Sequence, residues 1–530
     1  MKLVLAARQS DLARLQAYET GRALEEAGRK QSKNIKIEYR FRSSLGDQRG
    51  DDPLWKMPEK GVFTEDFLND LESGNVDLVV HSWKDLPVAE RPSTLIAATL
   101  DRADVRDVIL VRKDHWEARK LGSESGPFRI LTSSPRRTYC LEQVLEWALP
   151  WSQCKAGRPQ MEFVPVRGNI ATRVGKIGQA HALVVAKAAL DRLLESARYQ
   201  DIDPAFAHSA EELRNAVKNL NFVVLPLSMI PTAAAQGALA IEVRKDHHEL
   251  LELCRLIDSS RDRECVEEER NILASYGGGC HQKIGVTILK RDYGKVKFLR
   301  GLTDAGIRLE TASIQSSRSQ RFSPAVVWAG EGIHIERKSL PLQEIQKNLQ
   351  HFLDEAGSVV GYFVARNEAL PADLFTEGKC VWTAGLTTWK KLTARGVWVH
   401  GSSEGLGEDE FPKIETLLGR KMKWTRLTHQ DAIGADLHSV STYKATYTLT
   451  QPELLEGAKV YFWKSTGHFK TVFEAAPQLF KPHFALHAVG PGRTLGFVKA
   501  HLRSNGWTDE NLTEGLLVVL NERELTREFV

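Results

Sequence analysis

The chain has 530 residues, which is more than one hydrophobic core usually organises, so we expect several domains. A composition of 42% hydrophobic and 26% charged residues is typical of a globular protein and excludes a largely disordered chain. The formal charge of +4 is too small to indicate nucleic acid, and the sequence contains no run of 18 apolar residues that would indicate a membrane span. The apolar run at the start is too short for a signal peptide. We therefore expect a cytoplasmic monomer without a nucleic-acid or membrane partner.

The cysteines show neither a disulfide pattern nor a paired metal-ligand spacing, so we expect reduced thiols and no metal site. They stand at positions 140, 154, 254, 265, 280 and 380. Cys280 differs from the others because it follows Gly277, Gly278 and Gly279. Backbone without side chains would leave this thiol open to a ligand.

The first 250 residues alternate β-branched runs with amphipathic helical patterns, which predicts an α/β fold with largely parallel sheets. In the first unit we predict strands at 3–7, 34–42 and 76–82, and helices at 11–28 and 63–72. Ser10 is the predicted N-cap of the first helix. Residues 83–87 follow directly at the carboxyl end of the third strand, the edge of an α/β sheet where ligands bind.

A second α/β unit is predicted from about residue 104. We predict strands at 129–132 and 182–186, an extended segment at 164–168, and helices from Pro135 through Val144 and at 171–177. Residues 222–227 are predicted to return to the first sheet. A helical stretch at 247–275 and a strand-like run at 283–302 predict a small third domain.

The tail after about residue 370 contains a loose internal repeat. The segment 381–388, with Gly396 and 404–406, is echoed by 487–494, with Gly506 and 514–516. Each copy is typical of a strand, a Gly-rich turn and a helix that ends at glycine, which predicts a further α/β unit. We therefore predict four domains, at residues 1–103 with 223–244, 104–222, 245–368 and 369–530.

Several arginines stand at junctions between predicted strands and helices, namely Arg8, Arg136, Arg137, Arg167 and Arg173. A single arginine is most often a solvated surface charge. Arg136 and Arg137, however, fall in the first turn of a predicted helix, where cations are unfavourable unless an anion is present. Fork-shaped cations at such junctions indicate a ligand with several carboxylates.

These segments match one known family in order along about 360 residues. The matching runs are 7–10, 60–63, 81–87, 132–137, 166–169 with Arg173, 236–238 and 277–280. The front of the chain resembles hydroxymethylbilane synthase, also called porphobilinogen deaminase. The resemblance implies two periplasmic-binding-protein-like α/β domains, a small α+β third domain, porphobilinogen as substrate and hydroxymethylbilane as product.

The same resemblance implies the roles of individual residues. Cys280 would carry a dipyrromethane cofactor through a thioether, and Asp85 would be the catalytic carboxylate. A fixed carboxylate near the pyrrole N–H groups would stabilise the cation formed when porphobilinogen loses ammonia. The expected cofactor- and substrate-binding residues are Arg8, Ser10, Lys60, Lys84, Ser134, Arg136, Arg137, Arg167 and Arg173.

The sequence departs from this family at four places without removing a proposed catalytic group. Trp83 replaces a smaller apolar residue, Glu65 stands where lysine is common, and Pro135 replaces leucine. Lys187 interrupts a small apolar run, and a buried ammonium there would need a partner.

The last 160 residues resemble part of uroporphyrinogen-III synthase, a family with two α/β lobes, mainly at 461–467 and 487–494. Ser465, Thr466 and Thr494 are candidate substrate contacts, and each has an alternative role as a turn or capping residue. The chain would then carry two activities. The alternatives are a noncatalytic docking or stabilising tail, and a front half that is a two-lobed anionic-ligand-binding module without chemistry.

Overall fold

The structure is a computed structural model. It describes residues 1–43, 65–88, 91–278, 282–315, 326–356, 360–374, 376–407, 412–430, 438–482, 484–513 and 517–519. Within these ranges no helix is both long enough and apolar enough to cross a membrane. The five cysteines that lie in them are buried and form no disulfide with one another.

Strands and helices alternate through the front of the chain. The strands are β1 (Lys2–Arg8), β2 (Lys36–Arg42), β3 (Leu78–Ser82), β4 (Thr94–Ala98), β5 (Asp107–Arg112), β6 (Phe128–Leu131), β7 (Met161–Val164), β8 (Ala182–Ala186), β9 (Leu220–Val224) and β10 (Leu239–Arg244). The helices are α1 (Asp11–Lys30), α2 (Glu65–Glu72), α3 (Lys113–Leu121), α4 (Pro135–Ala148), α5 (Ile170–Gly175), α6 (Lys187–Leu194) and α7 (Ala205–Lys218). The α/β class predicted from the alternating pattern is confirmed.

These elements build two mixed sheets. The first has the strand order β2-β1-β3-β10-β4, with β1 parallel to β2 and β3, and with β10 antiparallel to both of its neighbours. The second has the order β7-β6-β8-β5-β9, with β6 parallel to β7 and β8, and with β5 antiparallel to its neighbours. The parallel strands bring their carboxyl ends to one edge of each sheet, where ligands bind in this class of fold.

One predicted strand lies in the other sheet. Residues 222–227 were expected in the first sheet, but β9 pairs with β5 in the second sheet, in the register Val108 to Val224. The pairing buries Val223 and Val224 completely on both faces of that sheet. The chain returns to the first sheet only as β10, so the expected return holds for that strand and not for β9.

A third, antiparallel sheet follows two helices. Its elements are α8 (His248–Arg255), α9 (Ser260–Ser275), β11 (Lys283–Arg291), β12 (Gly294–Leu302) and β13 (Arg308–Gln315). β12 pairs with both β11 and β13 along its whole length. Helix α9 ends at Ser275, five residues before Cys280 in the sequence.

The C-terminal part begins earlier than the sequence predicted. Its elements are β14 (Val327–Trp328), β15 (Ile333–Ser339), α10 (Leu342–Ala356), β16 (Val360–Val364), β17 (Cys380–Thr383), α11 (Leu386–Ala394), β18 (Gly401–Ser402), α12 (Glu415–Leu418), β19 (Lys423–His429), β20 (His438–Leu449), β21 (Val460–Trp463), α13 (Thr466–Ala475), β22 (Leu486–Val489), α14 (Arg493–Ser504), α15 (Asp509–Thr513) and β23 (Leu517–Val519). β14, β15 and β16 pair with strands that lie beyond residue 379. They belong to the sheets of the tail, which differs from the predicted boundary between residues 368 and 369.

The tail contains two α/β lobes, whereas the sequence indicated only part of a two-lobed protein. Lobe A is built on the sheet β15-β20-β19-β16-β17-β18, and lobe B on the parallel sheet β14-β21-β22-β23. The antiparallel pair β15 and β20 connects them, because each strand is joined to a lobe B strand at its outer end. The internal repeat corresponds to one copy in each lobe, and its helices are followed by glycines with positive φ, 86° at Gly396 and 90° at Gly506.

Lobe A packs closely on the second sheet of the front half. Trp389 in α11 is fully buried, donates a hydrogen bond from Nε1 to the carbonyl of Ala148 at 3.1 Å, and meets the Trp147 ring edge-to-face at 5.5 Å. Thr393, one turn later, donates to the carbonyl of Trp147 at 2.7 Å. The two apolar cores are therefore continuous, and a chain cut near residue 371 would expose this surface and separate β14 to β16 from their partners.

We expect Trp389→Ala to lower the free energy of unfolding by about 3–5 kcal/mol, because it opens a cavity in this shared core. Lys391→Ala, on the exposed side of the same helix, is the matched control and should change the free energy by about 0.5 kcal/mol or less. Urea unfolding followed by circular dichroism measures both. Equal shifts for the two variants would show that the interface contributes little.

Candidate active site

Asp85 lies on a tight turn at the carboxyl end of β3. The turn is a single 3-10 helix, Trp83–Asp85, in which the N–H of Leu86 donates to the carbonyl of Trp83 at 3.2 Å. The N–H of Trp83 donates to the carbonyl of Ala238 at 3.1 Å, and its ring is buried against Val266 and Leu86. The large indole that departs from the family pattern therefore anchors the turn, while Asp85 itself is exposed.

The Asp85 turn borders a small cavity between β1, α1 and β3. The cavity has a volume of about 70 Å³, and Arg8, Ser10 and Asp85 lie in its wall with Gln16 and Ser82. Gln16 Nε2 donates to Ser82 Oγ at 2.9 Å, and Ser82 Oγ in turn lies 3.1 Å from Gln16 Oε1 as a donor. These hydrogen bonds fix two of the side chains in the cavity wall. Ser10 has the extended backbone of an N-cap, but in this described segment its side chain makes no capping hydrogen bond. Its hydroxyl is therefore not committed to the helix end.

Arg136 and Arg137 meet their anion within the protein. Arg136 Nη2 donates to Asp107 Oδ2 at 2.9 Å, and Arg137 donates from Nη2 to Oδ1 at 2.7 Å and from Nε to Oδ2 at 3.1 Å. Burial by itself would raise the pKa of Asp107, but Arg137 and Arg136 hold it far below its usual range. The anion expected at the first turn of α4 is thus first of all the Asp107 carboxylate, and two cations facing one carboxylate leave an excess positive charge.

The start of α4 follows the sequence prediction. Pro135 occupies the first turn, and Ser134 is the N-cap, whose Oγ accepts from the N–H of Arg137 at 3.4 Å. Ser134 therefore acts as a cap, and this contact fixes where Arg136 and Arg137 leave the helix.

Further cations interact electrostatically with Asp85: Arg173 from the second sheet, and Lys84 on the same turn as Asp85. Burial lowers the pKa of Arg173 in α5, the positive charges of Arg137 and Arg167 lower it further, and the charge of Asp85 opposes them. Burial likewise lowers the pKa of the half-buried Lys84, with Asp85 opposing and Arg137 adding to the effect. Asp85 on the first sheet and the arginines of the second sheet therefore influence one another electrostatically.

The loop before Cys280 approaches the same turn. Gly277 and Gly278 have φ values of 97° and 63°, a region that favours glycine. A methyl group at Gly278 would come within 3.7 Å of Val88, just beyond the Asp85 turn. Cys280 and Lys60 lie outside the described residues.

Sequence reasoning missed the residues that tie these segments together. Asp107 is completely buried, and Gln236 donates from Nε2 to Asp107 Oδ1 at 2.9 Å and to the carbonyl of Val105 at 2.7 Å. An aspartate that opens the apolar strand Asp107–Arg112 was an available signal, because carboxylates are rarely buried unless they are paired.

The departure at Lys187 is also explained by pairing. Lys187 is 1% exposed, and its Nζ lies 2.5 Å from Asp191 Oδ2 and 3.4 Å from Asp104 Oδ2. The expected partner of the buried ammonium is therefore present on the next turn of α6. Burial raises the pKa of Asp191 and the charge of Lys187 lowers it, and the net result is a pKa of about 6.

The three tail candidates lie at one edge of lobe B. Ser465 and Thr466 follow β21, and Thr494 lies in the first turn of α14 after β22, the neighbouring parallel strand. Ser465 is the N-cap of α13, and its Oγ accepts from the N–H of His468 at 3.4 Å. Its alternative role as a capping residue is therefore observed.

Comparison with known proteins identifies relatives of the front of the chain. A family model described as porphobilinogen deaminase, dipyromethane cofactor binding domain, matches residues 3–252. Porphobilinogen deaminase of Acidothermus cellulolyticus is 35% identical over 289 residues, 53% of this chain and 74% of the relative. That of Syntrophomonas wolfei is 31% identical over 300 residues, 57% of this chain and 84% of the relative.

Among solved structures, an amino acid ABC transporter substrate-binding protein from Streptococcus pneumoniae bound to L-arginine covers 52% of this chain and 94% of its own. It is 15% identical with a TM-score of 0.22, which is too low to support an argument. The sequence relatives are similar over most of their length and share a transferase activity and the dipyrromethane cofactor class. The chain belongs to the porphobilinogen deaminase family.

Proposed function

We propose that the front of the chain joins four porphobilinogen molecules into hydroxymethylbilane on a dipyrromethane primer attached to Cys280. The observation that carries the proposal is the exposed carboxylate of Asp85, on a fixed turn that faces an excess of buried or half-buried cations. A ligand with several carboxylates would neutralise those cations, and this is the chemistry of dipyrromethane and of each added pyrrole.

The residues fit such a cofactor from two sides. Arg136 and Arg137 carry more charge than Asp107 neutralises, and Arg167 and Arg173 add to the positive field. Gly277 and Gly278, which precede Cys280 in the sequence, have positive φ and contribute no side chains. When bound, dipyrromethane supplies the free pyrrole carbon from which the product is extended.

The chain's own groups have distinct parts in the reaction. The arginines would bind the acetate and propionate groups of the substrate and hold its aminomethyl carbon near Asp85. Loss of ammonia leaves a positive charge on the substrate, and the Asp85 carboxylate would stabilise it electrostatically. The same carboxylate can take up the proton that is released when the new carbon–carbon bond forms. Lys84 would pair with a substrate carboxylate or with Asp85.

Cys280→Ser should fold but contain no covalent cofactor, because a serine hydroxyl is a far poorer nucleophile at neutral pH than a thiolate. The intact mass of the denatured protein tests this, with Cys154→Ser as the control that should retain two added pyrrole units. An unmodified wild type from cells that make porphobilinogen would instead favour an anionic-ligand-binding module.

Asp85→Asn should keep the cofactor and bind substrate, yet lose roughly 100-fold or more in kcat, because the amide preserves shape but not charge. Asp246→Asn, an exposed carboxylate paired with Arg244, is the matched control and should retain wild-type activity. Single-turnover formation of product measures both variants. Retention of more than half the wild-type rate by Asp85→Asn would exclude this role.

We further propose that the tail is a uroporphyrinogen-III synthase that takes up the product. The two lobes of the tail, joined by β15 and β20, support this assignment, because the uroporphyrinogen-III synthase family has two α/β lobes. The lobes approach each other where Gly407 faces Gly492, since a methyl group on either would lie within 3.2–3.3 Å of the other's backbone.

Positive charge gathers beside the lobe B edge that carries Ser465, Thr466 and Thr494. Burial and the positive charges of Arg366, Lys464 and Arg337 together lower the pKa of His468 in α13 to about 4, although Glu331 opposes them. Cations from both lobes thus act on one side chain of lobe B, as a site for a tetrapyrrole with many carboxylates would require. A tail that serves only for docking would need no such field.

The whole chain should convert porphobilinogen mainly to the type III isomer of uroporphyrinogen. Free hydroxymethylbilane closes without inverting its last ring, so inversion needs a protein site, and fusion raises the local concentration of the unstable product. Thr494→Ala should raise the share of type I, while Lys391→Ala should not. Chromatography of the oxidised isomers decides. Type I product from the unaltered chain would instead favour a docking or stabilising tail.

A further inference from the structure

We propose that Arg270 in α9 is a positioning residue that holds the Asp85 turn against helix α9. The inference rests on the proposed deaminase function. Arg270 Nη1 donates to the carbonyls of Trp83 and Leu86, each at 3.2 Å, and Nη2 donates to the carbonyl of Pro87 at 2.5 Å. One guanidinium therefore binds backbone oxygens on both sides of Asp85.

The helix that carries Arg270 is itself firmly anchored. Glu269, the preceding residue, is completely buried and accepts from Arg102 at 2.7 and 2.8 Å. It also accepts from the N–H groups of Ala235 at 2.8 Å and Ile288 at 2.7 Å. Because Glu269 joins α9 to the third sheet and to the segment before β10, Arg270 projects from a rigid support rather than from a free surface.

The apolar contacts of α9 fix the same turn from a second position. Val266 lies one helical turn before Arg270, is fully buried, and belongs to the apolar cluster that contains Trp83 and Leu86. Trp83 is thus held by its ring within the apolar cluster that includes Val266 and by its carbonyl against Arg270. Asp85 lies between Trp83 and Leu86 and borders the small cavity beside β1.

Helix α9 also precedes the glycines that stand before Cys280 in the sequence. The helix ends at Ser275, and Gly278 lies 3.7 Å, measured from an added methyl group, from Val88 beside the Asp85 turn. Arg270 lies within the last two turns of the helix, so the Asp85 turn is attached close to its C-terminal end. A catalytic carboxylate must be placed to well within 1 Å of its productive position, and a guanidinium bound to three carbonyls meets that requirement.

The test compares Arg270→Gln and Arg270→Lys with Arg263→Gln. Arg263 lies on the same helix, pairs with Asp258, and donates to the carbonyl of Ile96 at 2.8 Å, so it is a comparable anchor away from the Asp85 turn. We expect Arg270→Gln to retain the covalent cofactor by intact mass and a KM within about twofold, while kcat falls about 10- to 100-fold. Arg270→Lys should recover part of kcat, and Arg263→Gln should retain it.

Several results would overturn the proposal. One is an unchanged kcat in Arg270→Gln, and another is a kcat loss that is explained by missing cofactor or matched by Arg263→Gln at equal thermal stability. If Arg270→Gln does not fold, Arg270→Met decides, because its side chain keeps the aliphatic stem but cannot donate a hydrogen bond, and a kcat equal to that of the wild type in this variant would exclude the positioning role. Failure of the deaminase function is distinct, because the wild type would then make no hydroxymethylbilane.

Discussion

The buried carboxylate of Asp107 is the contact on which the front of the molecule depends. It binds Arg136, Arg137 and Gln236 at once, and so joins the start of β5, the start of α4 and the segment before β10. Removing one partner of such a buried set costs about 3–5 kcal/mol, because the remaining charges are left without compensation. The carboxylate also decides which way the two arginines point, and thus where their excess positive charge is presented. From Gln236 the chain of contacts continues through Arg102, which donates to the Gln236 carbonyl at 2.9 Å and also binds Glu269 in α9.

The tail is part of this assembly rather than an independent appendage. Glu404 in lobe A accepts hydrogen bonds from the N–H groups of Leu227 at 2.6 Å and Ser228 at 2.8 Å, in the segment that leads from β9 towards β10. Tyr293, at the turn between β11 and β12, donates to the carbonyl of Leu406 at 2.7 Å. Lobe A is thus in contact with the second sheet, with the segment that links the first two sheets and with the third sheet. Whatever the tail does, its position is fixed by the deaminase part of the chain.

The sequence by itself determined the features that follow from local rules. Pro135 predicted the first turn of α4, and the helix begins at that residue. The apolar run before Trp83 predicted a buried strand, which the structure has as β3, and Asp85 lies on the turn that follows its carboxyl end. The repeat in the tail predicted α/β units, because a strand, a turn and a helix-ending glycine are encoded within a few residues of one another. The reduced state of the described cysteines followed from their spacing.

Tertiary structure alone decided the pairings between residues that are distant in the sequence. β9 and β10 are both apolar strands, and no local signal tells which of two sheets an apolar strand joins, so the return to the first sheet was assigned one strand too early. For the same reason β14 to β16 were assigned to the third domain, although their partners lie beyond residue 379. Asp107 became visible as the anion for Arg136 and Arg137 only when strand and helix were brought together, since a buried charge is defined by its partners and not by its neighbours in the chain. The contacts of Arg270 could not be predicted for the same reason. Its three acceptors are backbone carbonyls, and the sequence does not distinguish these from any others.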